Sequence, residues 1–421
     1  MESKIANTTP REKIAFLSMA ILVLSLFFLE NIKALPTIGI LGFLLAAVVR
    51  KNLITEIRLN LNNKSYLLFT VLFFFYFAGY LNIEDGVSSS YWKARFIVKI
   101  PYLLLPISLL ATSPFTRKQY FGLFYLFFFI TLITAFGSII NYILHYDEIN
   151  ILIRSSKALP VVTNHVRYSL FACFSIFIAW KLHTDKFHLF SKHELWIYRI
   201  GGFFLIIFLH VAAVRSGLVA FYGMTGVVIL YQVILKNKRY KLGIGLLTAM
   251  VITPWLSFLT LTSIQKKVEN MKDDLGKINI EERANNYSLT ARWYSYKVGS
   301  KILSEHLWTG VGVGNFSKVI KERYKTDHPK INKKEVKEPH NQFLYWLGSF
   351  GILGTVFLLF IFYFPLFWKK AYQNSTLLLL HYLIVTLSFI VENSLETQLG
   401  ANYIIIFCVI PFLYSHENKQ R

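Results

Sequence analysis

Apolar runs of about twenty residues recur along this chain, far more often than a soluble core requires. A hydrocarbon core ~30 Å thick needs about that length of helix to cross it. Inside a bilayer each backbone polar group must be satisfied within the protein, which makes helices the natural spanning elements for such runs. The runs number about twelve and centre near 14–30, 35–49, 66–82, 98–112, 119–143, 166–182, 197–214, 217–235, 243–262, 342–367, 376–391 and 400–414. Pro36 marks the start of the second, short run. The expected fold is therefore an all-α polytopic membrane protein. It has about twelve transmembrane helices and one large, partly helical loop. Residues 1–262 hold helices one to nine, 263–341 the loop, and 342–421 helices ten to twelve, as one integral membrane domain.

Charge then orients the chain. Lys and Arg number 45 against 23 Asp and Glu, a formal +22. In a soluble protein such an excess would point to nucleic acid. No basic stripe interleaved with exposed aromatics is present, and nucleic acid is excluded as a partner. Cytoplasmic loops of membrane proteins accumulate the same excess. Arg11, Lys13, Arg50, Lys51, Arg117, Lys118, Lys181, Lys186, Lys192, Arg199, Lys236, Lys238, Arg239, Lys241, Lys369 and Lys370 fall on alternate turns. That side is read as cytoplasmic, with both termini and the 181–199 loop. The outer side then receives 83–97, 144–165, the Val214–Gly217 junction, 263–341 and 392–400.

The start of the chain, basic and then apolar, has the outline of a signal peptide without a clear cleavage site. It is read as an uncleaved first helix. Cys173 and Cys408 both lie in apolar runs, so neither a disulfide framework nor a zinc cluster is expected.

The long polar stretch 263–341 and its borders carry the residues suited to chemistry. Its first part, SIQKKVENMKDDLGKINIEERANNYS, has mixed charge and is expected to be solvated. From Leu289 to Leu307, Trp293, Tyr296, Leu303 and Leu307 recur at helical spacing, predicting an amphipathic helix on the membrane or the bundle. Arg292 lies near the start of that helix. Arg215 stands in VAAVRSGLVAFYG where one apolar run gives way to the next. Arginine is planar, permanently charged and able to grip phosphate oxygens, so two of them converging would clamp a diphosphate. Snorkelling for Arg215 and a solvated helix face for Arg292 are the competing explanations. His340, at the mouth of the tenth run, is either a proton acceptor or a capping residue.

Weaker candidates on the same side are His165 and Arg167 in VTNHVRYSL, Asn341, and Glu392 and Glu396 in ENSLETQLG. Each either lines a polar cavity or caps a helix. GVGVGNF at 310–316 lacks the strand and the Lys-Ser/Thr of a phosphate-binding loop and is read as a turn. No metal-ligand spacing, nucleophile elbow or paired-carboxylate motif emerges, and no metal or cofactor is expected.

Three stretches resemble the O-antigen ligase and polymerase family of bacterial inner-membrane proteins. They are AAVRSGLVAFYG, LTARWYSYKVGSKILSEHLWTGVGVGNF and PHNQFLYWLGSFGILG, within a core of about residues 160–400. The resemblance implies a multi-pass protein with a periplasmic active site. Its donor would be a glycan on undecaprenyl pyrophosphate, and its place lipopolysaccharide biosynthesis. Arg215 and Arg292 would hold the pyrophosphate, and His340 would activate or position an acceptor hydroxyl of lipid A–core. Transfer would be a single, inverting displacement without metal. A polymerase of the same family is the alternative reading. A lipid-linked glycan transporter comes after it, because helix interiors here are nearly uncharged whereas transporters place charge there.

Overall fold

The computed structural model describes residues 9–49, 53–60, 65–80, 83–84, 86–87, 89–154, 157–367 and 375–414. Among these every regular element is helical. The N-terminal half comprises α1 (Pro10–Phe28), α2 (Leu35–Val48), α3 (Leu53–Asn60), α4 (Leu68–Tyr80), α5 (Ser89–Leu109), α6 (Arg117–Leu144), α7 (Tyr146–Arg154) and α8 (His165–Thr184). After these come α9 (Glu194–Ala212), α10 (Arg215–Val228, continued as a π-helix over Ile229–Lys236) and α11 (Tyr240–Thr260). The 263–341 stretch supplies α12 (Thr262–Gly276), α13 (Ser288–Glu305) and α14 (Phe316–Asp327). Last are α15 (Gln342–Tyr363), α16 (Thr376–Val391) and α17 (Gln398–Val409).

Each apolar run lies on a helix, and α2 begins at Leu35 beside Pro36 as expected. Among the described residues, five helical stretches are long and apolar enough to cross a bilayer unaided: Arg117–Leu144, Glu194–Ala212, Arg215–Lys236, Tyr240–Thr260 and Gln342–Leu366. The cores of α1 and α6 start at boxed caps. Thr9 and Glu12 hydrogen-bond reciprocally, as do Thr116 and Gln119, which satisfies amides that have no partner within the helix.

Two of the basic residues assigned to one side bond to backbone at helix ends. The Arg11 guanidinium donates to the Val49 carbonyl at 3.1 Å, and Arg117 to the Asp185 carbonyl at 2.9 Å. These contacts join the start of α1, the end of α2, the start of α6 and the end of α8. His165, at the opposite end of α8, stands with Arg215 and Arg292 around one cavity. Arg50, Lys51, Lys369 and Lys370 lie outside the described residues.

The first part of the polar stretch is solvated as expected, yet folded: α12 and a short 3-10 turn at Glu281–Asn285 leave most side chains at least partly exposed, with Ser263, Asp274 and Ala284 buried, whereas α13 buries a face other than its apolar one. The buried stripe of α13 is Ala291, Tyr294, Ser295, Val298, Gly299 and Ile302, whereas Trp293 is 46% exposed. Small residues win that face because α13 approaches α15 closely. A Cβ on Gly299 would sit 2.7 Å from Pro339 and 3.3 Å from Leu344.

The GVGVGNF stretch is a turn, and it has a structural partner. α15 is broken at Gly351, whose φ of 64° and ψ of −171° are not helical. The amides of Ile352 and Leu353 donate to the carbonyls of Leu307 and Trp308, at 2.9 and 3.3 Å. Those of Val311 and Gly312 donate to Gly348 and Ser349, at 3.0 and 2.9 Å. Irregular backbone amid apolar helices is tolerated where protein supplies its hydrogen bonds, and here the turn supplies them.

Candidate active site

The α9–α10 junction sets the position of Arg215. Ala213 adopts a left-handed conformation with φ 49°, rare for a residue with a Cβ, and it reverses the chain within two residues. α12 holds the strained turn. Ser263 Oγ donates to the Val211 carbonyl at 2.9 Å, and Lys267 Nζ donates to the Ala212 and Ala213 carbonyls at 3.0 Å each. Spaced four apart, these two side chains share one face of α12 and satisfy carbonyls left open at the end of α9. Arg215 is then the first residue of α10, whose N-terminus has no side-chain cap.

Arg215 lines an open cavity of about 130 Å³ with Arg292, His165, Lys267, Lys157 and Asp274 among its walls. Asp274 is committed elsewhere. Its carboxylate accepts from the Leu289 amide at 2.9 Å, the Thr290 amide at 3.3 Å and the Thr290 hydroxyl, which caps α13. α13 therefore starts at the cavity wall and brings Arg292 to it one turn later. Burial, then the nearby Arg215 charge, push the Lys267 ammonium down to about 8. Four cationic side chains and an uncapped helix N-terminus face one space. Such a site favours an anion with several charged oxygens.

His340 does not line that cavity; Glu392 connects it. Glu392 Oε1 accepts from the Arg292 guanidinium at 2.7 Å, and Oε2 lies 3.1 Å from His340 Nδ1. The carboxylate is 8% exposed at the end of α16. Burial alone would raise its pKa, but the hydrogen bond from His340 and the charges of Arg167, His340 and Arg292 hold it below the usual carboxylate range. An ionised Glu392 accepts from Nδ1–H, and Nε2 is then the imidazole's acceptor nitrogen. That arrangement suits a general base.

The residues His340, Asn341 and Gln342 all reach the same turn. Asn341 accepts from the Leu344 amide at 2.9 Å, capping α15, and donates to the Ile390 carbonyl at 3.0 Å. Gln342, fully buried, accepts from the Leu395 amide at 2.8 Å and donates to Glu396 at 3.2 Å. With His340 on Glu392, three successive side chains grip the 390–396 turn. The Tyr296 hydroxyl adds a 2.8 Å hydrogen bond to the His340 carbonyl, tying α13 to the same segment.

The structure therefore gathers Arg215, Arg292 and His165 at one cavity and joins His340 to Arg292 through Glu392. Asn341 is spent on capping and on α16. Arg167 and Glu396 point into the protein. Arg167, 4% exposed, donates to Ser394 Oγ at 2.9 Å and Thr397 Oγ1 at 3.4 Å. Glu396 accepts from Tyr76 at 2.8 Å and Lys99 at 3.1 Å, while Arg95 bonds its carbonyl at 2.6 Å and Glu338 at 2.6 Å. Lys99, 1% exposed on α5 at the edge of the 98–112 apolar run, forms an ion pair with Glu396 and was not foreseen as part of this network. An ionisable residue inside an apolar run was the available signal for it. Lys157, Lys267 and Asp274 were not foreseen as cavity residues, and their spacing in the sequence carries no motif.

None of the curated proteins compared matches the chain. No element before α9 falls in a family match, but residues 200–361, from within α9 into α15 and including Arg215, Arg292 and His340, match the O-antigen ligase family model, so this part of the chain is similar to that family.

Proposed function

We propose that the chain is a glycosyltransferase of the bacterial inner membrane. It moves a glycan from undecaprenyl pyrophosphate to a hydroxyl of lipid A–core at the periplasmic face. The observation that carries this reading is the cationic cavity of Arg215 and Arg292, linked by Glu392 to His340. In the ground state the two guanidinium groups bind the diphosphate oxygens. The acceptor hydroxyl gives its proton to His340 Nε2 as its oxygen bonds to the anomeric carbon. The bond from that carbon to the phosphate oxygen breaks, and the electron pair leaves on the diphosphate. Arginine charge stabilises the leaving group as negative charge grows there, so no metal is required. One displacement inverts the anomeric centre.

Glu392 serves both halves of this reaction. It keeps the base in one tautomer and holds Arg292 at the cavity wall. The donor's lipid never leaves the bilayer, which is why the cavity belongs at the end of the helices.

The arginines can be tested apart from the base. Arg215→Lys and Arg292→Lys keep the charge but lose the planar fork. Each charged hydrogen bond lost costs ~1.5–3 kcal/mol, so each variant should lose roughly 10–100-fold in kcat/KM with weaker donor binding. The assay uses purified protein, a lipid-pyrophosphate glycan and separate acceptors. Unchanged donor affinity in both variants would remove the clamp. Glycan lengthening on the lipid carrier, with lipid A–core untouched, would instead identify a polymerase.

The reading also requires about twelve spans, cytoplasmic termini and a periplasmic 263–341 segment. Single cysteines at Asn286 and Asn237, in a background without Cys173 and Cys408, should label from outside and inside respectively. Reversed labelling would put the cavity on the wrong side of the membrane.

A further inference from the structure

We propose that Lys267 is a positioning residue for donor binding: its ammonium ties down the α9–α10 turn and thereby presents Arg215 and the open N-terminus of α10 to a diphosphate. This rests on the diphosphate reading of the cavity and adds to it a dependence on pH. Lys267 belongs to the 263–341 stretch, whereas Arg215 lies on a membrane helix. One ammonium therefore couples the two parts of the site.

The geometry makes Lys267 more than a wall residue. Its two carbonyl contacts are the last one of α9 and that of the left-handed Ala213. A helix C-terminus carries partial negative charge, so a cation there is stabilising and a neutral amine less so. Arg215 follows Ala213 by two residues, with extended Val214 between them. Loosening the Ala213 carbonyl therefore moves Arg215 directly. Ser263 holds the preceding carbonyl and would keep α12 docked after Lys267 is neutralised.

The surroundings make its charge conditional. Around the cavity it shares space with Arg215 of α10, Arg292 of α13, His165 of α8, Lys157 after α7 and Asp274 of α12. Asp274, the acidic member, is hydrogen-bonded to the start of α13. Burial and Arg215 lower Lys267 to about 8, so its ammonium is present below that pH and is lost as pH rises through it. A bound diphosphate favours the charged form, so binding at pH 9 should take up a proton that binding at pH 7 does not.

The test compares wild type with Lys267→Arg and Lys267→Met, using inorganic pyrophosphate as the probe and thermal stabilisation as the binding readout, alongside kcat/KM for transfer. Wild type should be stabilised by pyrophosphate at pH 7 and markedly less at pH 9, and its kcat/KM should fall with an alkaline limb near pH 8. Lys267→Arg cannot lose its charge at these pH values and can still reach two carbonyls. It should keep binding at pH 9 and lose the alkaline limb. Lys267→Met should fall ~10-fold or more in kcat/KM at pH 7, with KM carrying the loss. An alkaline limb unchanged in Lys267→Arg, or wild-type binding by a folded Lys267→Met, would overturn the proposal and leave the diphosphate reading standing. Absence of pyrophosphate stabilisation in every protein at every pH would instead defeat both.

Discussion

His340→Ala is expected to lower turnover by ~10²–10⁴-fold, the usual range for a general base, while donor binding stays near wild type. Glu392→Gln should follow it, because a neutral amide no longer fixes the imidazole tautomer and no longer balances Arg292. The two changes should not add. In a His340→Ala background the further loss from Glu392→Gln should shrink to whatever Glu392 contributes through Arg292, and that remainder should appear in donor affinity. A carboxylate serving only to hold the fold would give the same loss in both backgrounds. The double-mutant cycle, read as single-turnover rate and donor affinity separately, distinguishes these cases. Equal losses in the two backgrounds, or near-normal turnover in a folded His340→Ala protein, would end the role of His340 as base.

The sequence exposed what a bilayer imposes and concealed what local packing decides. Long apolar runs located the helices because a membrane-crossing segment has no other way to satisfy its backbone. Arg215 stood out because a cation at an apolar junction is costly wherever it sits. Periodicity failed at α13 for a related reason. Around a membrane protein the outward faces are apolar too, so Trp293 marks exposure as readily as burial. The face that packs is the one whose residues are small enough, Ala291, Ser295 and Gly299, and apolar spacing does not detect it. Lys267 was hidden because its partners are backbone carbonyls, which leave no complementary residue to find. The link from His340 to Glu392 spans 52 positions. Only the neighbouring contacts of Asn341 and Gln342 reveal why the three residues stand in a row.

Gly351→Ala should be the most damaging single change outside the proposed catalytic residues. Its φ of 64° with ψ of −171° lies in a region that essentially only glycine occupies, at a cost of ~1–3 kcal/mol for any other residue. A Cβ there would also stand 2.3 Å from both the carbonyl carbon and oxygen of Trp308. Those atoms belong to backbone held by the hydrogen bonds from Ile352 and Leu353, so they have no side-chain freedom with which to retreat. Relief requires the 307–312 turn to leave α15. Four backbone hydrogen bonds then lose their partners. The same turn anchors the end of α13, so Arg292 and Tyr296 shift relative to His340 on α15. We expect a loss of at least ~2 kcal/mol in stability and, in the surviving folded fraction, reduced transfer. Gly137→Ala is the matched control, since a Cβ on Gly137 within α6 meets nothing within 4 Å. It should be neutral or stabilising by ~0.5–1 kcal/mol, because alanine loses less freedom in a helix than glycine. Thermal unfolding of the two purified variants settles the comparison. A Gly351→Ala protein as stable as Gly137→Ala would show that the turn and the helix break do not depend on each other.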